Sequence, residues 1–313
     1  MKVLLIAMPF YGYEFRIKRE IENNGNQVDF MYDIEEWPLF TRGFLKVFGI
    51  SKKDYDNKYQ KSKLSQLKND YDVVLVIVGR CLQPVFLDEL RKINTNAKFI
   101  LYLWDDVARV KNFQSVSKYY DKIYSFDSID CGKYSFNFLP LFYSKECEIS
   151  TNEKEDDIYG SFTLHSDRLN VIRQIIDRYP QYKVNFYVPV PKKAYLSAKN
   201  NNKFASSFFH LRSLKYEDNI KNMQKTKAVL DIQHPTQTGL TMRTIESIGC
   251  GVKIITTNHR IKEYDFYSPD NILIIDRNNV TIPDYFLNDV YKKLPDNIYK
   301  KYSLNNWVQK VLS

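Results

Sequence analysis

A parallel α/β fold in two halves is predicted by three observations in this sequence. Strand-like apolar runs alternate with helix-like amphipathic ones along the chain. The cleanest apolar runs, such as Val73–Val78, are strand-sized and far short of a membrane span. A polar, charged stretch from Ser150 to Asp157 reads as a linker between two stretches of similar length that each repeat the pattern.

In the N-terminal half, strands are expected near residues 2–8, 27–32, 73–78, 98–103, 122–126 and 136–139. Helices are expected near 13–24, 84–94, 112–119 and 128–134, with Pro84 well suited to a helix start. The opening run Met1-Lys-Val-Leu-Leu-Ile-Ala-Met-Pro lacks a signal-peptide cleavage pattern and reads as a first buried strand. No GxGxxG follows it; Met8-Pro-Phe-Tyr-Gly-Tyr stands there instead, which disfavours a classical dinucleotide oxidoreductase. In the C-terminal half, strands are expected near 157–162, 183–188, 206–211, 227–232, 252–257 and 271–275. Helices are expected near 166–179, 216–225, 240–249, 282–294 and 298–312. Such sheets bind ligands beyond the carboxyl ends of their strands.

Composition narrows the class. The chain has 313 residues, 44% hydrophobic and 27% charged, within the range of ordinary globular proteins and long enough for two cores. The net charge of +9 admits anionic partners, but abundant Lys, Asn, Ile and Tyr explain most of it without one. The four cysteines, at 81, 131, 147 and 250, show no paired spacing, so neither a zinc site nor a disulfide framework is expected and a reducing cytoplasm fits.

One insertion, residues 37–68, separates the second and third strands. Trp37, Phe40, Phe44 and Phe48 share a helical face, and Arg42, Lys46, Lys52, Lys53, Lys58, Lys61, Lys63 and Lys68 surround it with positive charge. The aromatic face either packs on its own domain or lies on an anionic membrane surface.

The chemistry concentrates in Gln237–Thr257. The apolar run Ala228-Val-Leu-Asp-Ile-Gln233 leads through a polar, Gly-containing turn into a short helix that ends at Gly249-Cys250-Gly251, and a second strand follows. Backbone N–H groups at such a helix start, around Gly239, Leu240 and Thr241, form an anion site together with the helix dipole. Arg243 adds a forked cation in the first turn, and Glu246 follows one turn later on the same side. Thr241 and Thr244 offer hydroxyls, and Thr241 also suits a helix cap. The bland reading of Arg243 and Glu246 is a surface i,i+3 pair.

This segment resembles the donor-binding motif of GT-B glycosyltransferases, the group 1 set and its CgeB-like relatives. The matching residues are Glu246-Ser-Ile-Gly-Cys-Gly followed by Val252-Lys-Ile-Ile-Thr-Thr. Two further pieces resemble the same family: Ile158-Tyr-Gly-Ser-Phe-Thr-Leu-His-Ser-Asp-Arg168, with Gly160 and an early Arg168, and Tyr124-Ser-Phe-Asp-Ser-Ile-Asp130, a Phe-Asp-x-x-Asp element. The resemblance implies a nucleotide-sugar donor whose ribose meets Glu246 and whose diphosphate meets the loop before it, Arg243 and Arg168. It also implies two Rossmann-like domains facing across a cleft: residues 1–149 on the acceptor side, 150–297 for the donor, and a terminal helix, 298–313, crossing back to the first domain. Many retaining members carry a further Glu eight residues before the ribose-binding one; Thr238 stands there, which leaves the sugar contact and the stereochemistry open.

Other candidates carry two readings each. Asp105 and Asp106 end a strand; their adjacency does not suit a metal-binding Asp-x-Asp, and the family needs no metal or other cofactor. Either of them, or Asp127, is a candidate acceptor-side base, or else a helix cap. His210 ends a strand where the family lines its base pocket, and Lys215 with Tyr216 precedes a helix at the border of the expected donor site. His234 lies nearer the phosphate loop, Tyr187 is a candidate for stacking on a base, and both have structural readings. The expected activity is transfer of a sugar to a hydroxyl of a growing surface glycan, lipid-linked or polysaccharide, by a cytoplasmic enzyme that is either free or peripheral on the inner face of the cell membrane. The rivals are a nucleotide-sugar epimerase or hydrolase on the same fold and a non-catalytic nucleotide-sugar or glycan binder. Nucleic acid is not an expected partner.

Overall fold

The structure, a computed structural model, describes residues 1–34, 52–149, 153–164, 167–201 and 203–313. The chain forms two units, Met1–Pro140 with Val308–Ser313, and Leu141–Trp307. Trp37, Phe40, Phe44 and Phe48 of the aromatic stripe lie outside the described residues.

The first unit runs β1 (Lys2–Ala7), α1 (Tyr13–Asn23), β2 (Gln27–Tyr32), α2 (Lys52–Leu64), β3 (Val73–Ile77), α3 (Pro84–Ile93), β4 (Lys98–Leu103), α4 (Phe113–Val116), β5 (Lys122–Ser125), α5 (Ser128–Tyr134) and β6 (Asn137–Phe138). Its six strands form one parallel sheet in the order β2-β1-β3-β4-β5-β6. The central strands are apolar end to end because helices cover both faces, and Val3–Ile6 and Val74–Val76 are fully buried. Helix α2, the described end of the insertion, is held by a polar anchor. Gln60 is buried and donates to the carbonyls of Asp33 and Cys81, both at 2.9 Å, while Lys58, Lys61 and Lys68 remain exposed.

The second unit runs β7 (Asp156–Ser161), α6 (Arg168–Arg178), β8 (Val184–Pro189), α7 (Lys192–Asn201), α8 (Lys203–Ser206), β9 (Phe209–His210), α9 (Tyr216–Gln224), β10 (Thr226–Asp231), α10 (Met242–Cys250), β11 (Lys253–Thr256), β12 (Ile272–Ile274), α11 (Asp284–Asn288) and α12 (Asp296–Lys301), and ends within α13 (Leu304–Leu312), whose residues from Val308 on belong to the first unit. The sheet is again wholly parallel, in the order β12-β11-β10-β7-β8-β9. Its core gathers Ile158, Val171, Ile172, Ile175, Ala228 and Leu230.

Two expected helices are shorter than their apolar pattern suggests. The one expected over 282–294 ends at Asn288, because the side chain of Asn271 captures the backbone of Lys292 at both its N–H (2.9 Å) and its carbonyl (2.7 Å). The one expected over 298–312 is two helices. Tyr143 donates to the carbonyl of Tyr302 (2.9 Å) and accepts from the N–H of Leu304 (2.8 Å), and this bridge interrupts the helical ladder. The same bridge, with Phe142 against Trp307 at 5.0 Å, ties residues 141–143 to the second unit.

Each sheet has one topological switch point, where chain progression reverses direction: between β1 and β3 in the first unit, and between β7 and β10 in the second. The crevice outside the carboxyl ends of the strands at such a point is where open α/β sheets bind ligands.

Candidate functional site

At the switch point of the second unit, β10 ends in Asp231, a carboxylate with 0% exposure. It accepts from four groups. Thr241 Oγ1 donates at 3.0 Å and Arg243 Nη1 at 2.7 Å to Oδ1; Thr244 Oγ1 donates at 2.9 Å and Thr256 Oγ1 at 3.4 Å to Oδ2. These partners come from the start of α10 and the end of β11, so one buried anion fixes the loop, the helix start and the neighbouring strand. Thr241 is the N-cap of α10, and its hydroxyl accepts from the N–H of Thr244 at 3.3 Å. The N–H groups ahead of it have no partner within the helix ladder, which is the common property of helix starts. Leu240 is buried beside this turn, and the carbonyl of Gly239 accepts from the side chain of the buried Asn258 at 3.5 Å.

Three guanidinium groups converge here. Arg243 also donates through Nη2 to the carbonyl of Ser161 at the end of β7, and lies over the Phe162 ring at 5.0 Å. Arg168, the first residue of α6 and 7% exposed, donates to the carbonyls of Ile232 and Thr163, both at 2.8 Å, and lies 5.8 Å from the same ring. Burial, with Arg243 next in weight, lowers its pKa to about 10. Arg277 pairs with Asp167 at 2.7 Å and donates to the carbonyl of Gln233 at 2.6 Å. Asp167 is the N-cap residue of α6, but its carboxylate serves Arg277 rather than the helix. Gly160 makes room for the shared aromatic platform: a Cβ there would stand 2.3 Å from the Phe162 ring.

The remaining donor candidates are placed around this centre. Glu246 is only 2% exposed, within α10, and its charge bears on Tyr159, Tyr216 and Cys250. Tyr216 bonds Ser144 Oγ at 2.7 Å and Cys147 Sγ at 3.2 Å, so its hydroxyl is a buried structural link. Lys215 is the N-cap residue of α9, without a side-chain cap bond. His210 stacks on Tyr187 with ring centres 3.7 Å apart and planes at 3°, and burial lowers its pKa. His234 Nδ1 bonds Thr236 Oγ1 at 2.9 Å.

The three first-unit acids separate. Asp106 caps the turn Val107–Arg109, accepting from the Arg109 N–H at 3.1 Å. Asp127 caps α5, accepting from the N–H groups of Ile129 (2.8 Å) and Asp130 (3.3 Å). Asp105 instead pairs with Arg80 and lines a recess of about 380 Å³, including open solvent, at the switch point of this sheet. The lining includes Phe10, Tyr13, Glu14, Val78 and Trp104. Of these residues the sequence had pointed only to Asp105. Glu14 sits within a helical pattern whose acid reads as solvated. Asp231 did carry a signal, as a lone charge inside an apolar strand, but its four partners come from segments up to 25 residues away. Among the described residues no group of three or more His, Cys, Asp or Glu is arranged to hold a metal, and no helix is long and apolar enough to cross a membrane.

Two six-stranded parallel sheets with flanking helices, each Rossmann-like, define this chain as a protein of the GT-B fold. Solved structures bear this out over essentially the whole chain. AviGT4, a glycosyltransferase involved in avilamycin A biosynthesis, matches with a TM-score of 0.60 at 11% identity, covering 100% of this chain and 96% of its own. The UDP-GlcNAc 2-epimerase from Neisseria meningitidis, bound to UDP-GlcNAc, matches at 0.56 and 12%, covering 100% and 98%. S. aureus MnaA, solved with UDP, matches at 0.56 and 13%, covering 99% and 95%. No protein-family model and no curated protein matches the sequence.

Proposed function

We propose that this chain is a glycosyltransferase that moves a sugar from a nucleotide-diphosphate donor to a hydroxyl of a glycan acceptor, and that it belongs with the group 1 and CgeB-like enzymes. The observation that carries this reading is the convergence of Arg168, Arg243 and Arg277 on the end of β10, at Ile232, Asp231 and Gln233 respectively, where the chain leaves the switch point of the second sheet for the capped start of α10. A diphosphate gains negative charge as the glycosidic bond breaks. Guanidinium groups and helix N–H groups held in advance stabilise that charge without reorganising. Asp231 holds Arg243 and Thr241 in place before any ligand arrives. In this reading Gly239, Leu240, Thr241 and Thr244 frame the diphosphate, Glu246 meets the ribose, and Gly160, His210 and Lys215 border the nucleoside. The donor charge is met without a metal or other cofactor.

Two of the similar structures were solved with UDP or UDP-GlcNAc, so UDP-sugars come first in any ligand panel. The reading is tested by calorimetric titration of nucleotides and nucleotide-sugars, followed by turnover assays with glycan acceptors. Binding of a nucleotide-sugar and acceptor-dependent release of the nucleotide are expected; absence of any nucleotide binding overturns it.

A second reading, a nucleotide-sugar epimerase, draws on the epimerase structures, whose TM-score of 0.56 lies close to the 0.60 of the glycosyltransferase. It requires conversion of the donor sugar with no acceptor present, and the same assay without acceptor separates the two.

A further inference from the structure

The four cysteines lie far apart in the sequence, yet two of them meet in the second unit. Cys147 ends the turn Lys145–Cys147, on the segment by which the chain enters that unit, and Cys250 ends α10. They are 0% and 1% exposed. Two glycines let the entry segment come this close. A Cβ at Gly249 would stand 2.5 Å from the Tyr143 ring, and one at Gly251 would stand 2.9 Å from the Ile149 side chain. Tyr143 and Ile149 thus meet the helix end on either side of Cys250, and Cys147 lies between them in the chain. The thiols of Cys147 and Cys250 share a hydrogen bond. Cys147 Sγ also lies 3.2 Å from the Tyr216 hydroxyl, which bonds Ser144 Oγ at 2.7 Å. Cys81 and Cys131 belong to the first unit. Nothing in the donor chemistry described above uses either thiol of the pair.

We propose that Cys147 and Cys250 are a redox pair, which a hydroperoxide converts to a disulfide that fastens the entry segment to the end of α10. The thiolate of one cysteine attacks a peroxide oxygen. The O–O bond breaks, and the hydroxide released takes up that thiol's proton and leaves as water. The second thiol attacks the sulfenic sulfur so formed. The S–S bond forms, the S–O bond breaks, and hydroxide leaves with the second proton as another water. Two electrons pass from the sulfurs to one molecule of peroxide. Exchange with a small dithiol reverses the step.

The surroundings set its rate. The hydrogen bond with Cys147, then burial and the charge of Glu246, push the Cys250 pKa well above its ordinary value of 9.0. The thiolate is the nucleophile, so the closed pair reacts slowly, and oxidation waits for the entry segment to lift from the helix end. Once made, the disulfide closes a loop of about 100 residues in the unfolded chain, which favours the folded state. The helix it ties down is the one whose start is held by Asp231. The pairing does not depend on the function proposed above.

Treatment of the whole chain with excess hydrogen peroxide at mildly alkaline pH tests the pair. Free thiols are then alkylated under denaturing conditions and the peptides are mapped by mass. A cross-linked peptide joining Cys147 to Cys250 is expected. The urea midpoint should rise on oxidation and return with dithiothreitol. Cys147→Ser and Cys250→Ala should each abolish both the cross-link and the rise. The wild-type map decides the matter even where a variant fails to fold. The proposal is overturned if both thiols are recovered alkylated after Cys131 has been oxidised. A cross-link to Cys81 or Cys131 in its place overturns it too, as does a Cys147–Cys250 cross-link that leaves the midpoint unchanged or lowered.

Discussion

Asp231 concentrates the design of the second unit in one side chain. It is fully buried, and its strongest partner, Arg243, keeps 18% of its side-chain surface exposed. Removing one partner of a buried charge pair leaves the other uncompensated, at about 3 kcal/mol. Asp231→Asn is therefore expected to lose about that much unfolding free energy and to weaken nucleotide-diphosphate binding; an unchanged urea midpoint with unchanged affinity refutes the organising role. Glu246 poses the opposite case, a site candidate with almost no open surface. Glu246→Gln is expected to weaken nucleotide-sugar binding about tenfold while the chain stays folded, as the loss of a charged hydrogen bond requires. Wild-type affinity by calorimetry would remove Glu246 from the ribose.

At the scale of elements, the ends of strands do the positioning. Strand β7 carries Gly160 because the Phe162 ring lies where a Cβ would stand, and that ring is the shared platform of Arg168 and Arg243. Gly160→Ala is expected to cost about 1–3 kcal/mol by overpacking. Gly132, inside α5, has nothing within 4 Å of its Cβ position, so Gly132→Ala gains about 0.5–1 kcal/mol from helix propensity. Urea unfolding of the two variants should move in opposite directions; shifts of the same sign contradict this packing. The stack of Tyr187 on His210 links the ends of β8 and β9. Burial holds the His210 pKa below its ordinary value of 6.5, so the unfolded chain takes up the proton first. Stability should therefore rise with pH through the window ending near 6.5, and His210→Phe should flatten that rise. An NMR titration midpoint at or above 6.5 would contradict it.

At the scale of the molecule, one parallel sheet type is used twice, with the order β2-β1-β3-β4-β5-β6 in one unit and β12-β11-β10-β7-β8-β9 in the other. Each switch point has received a different set of side chains: rings and carboxylates in the first, guanidinium groups around a carboxylate in the second. If the arginines and the helix start carry the leaving-group charge, turnover survives EDTA. Loss of activity on chelation, restored by manganese or magnesium, would assign that charge to a metal.

The amino-acid sequence by itself determined the alternation of strands and helices, the parallel sheets, and the strand–turn–helix from Ala228 to Gly251 with Arg243 in its first turn. These follow from local periodicity, caps and Gly positions, which act within a few residues. It also exposed the ambiguity of Asp106 and Asp127, since a cap and a base demand the same residue at the same place. Only the tertiary structure showed that both make capping bonds while Asp105 faces a recess, that Asn271 and Tyr143 cut two helices short, and that Asp231 and Phe162 organise the arginines. Each of those outcomes depends on partners far apart in the chain, Asn271 with Lys292, Tyr143 with Tyr302, Arg168 with the Ile232 carbonyl. A hydrogen bond between distant segments leaves no period in the sequence; it exists once packing has paired the strands that bring its two ends together.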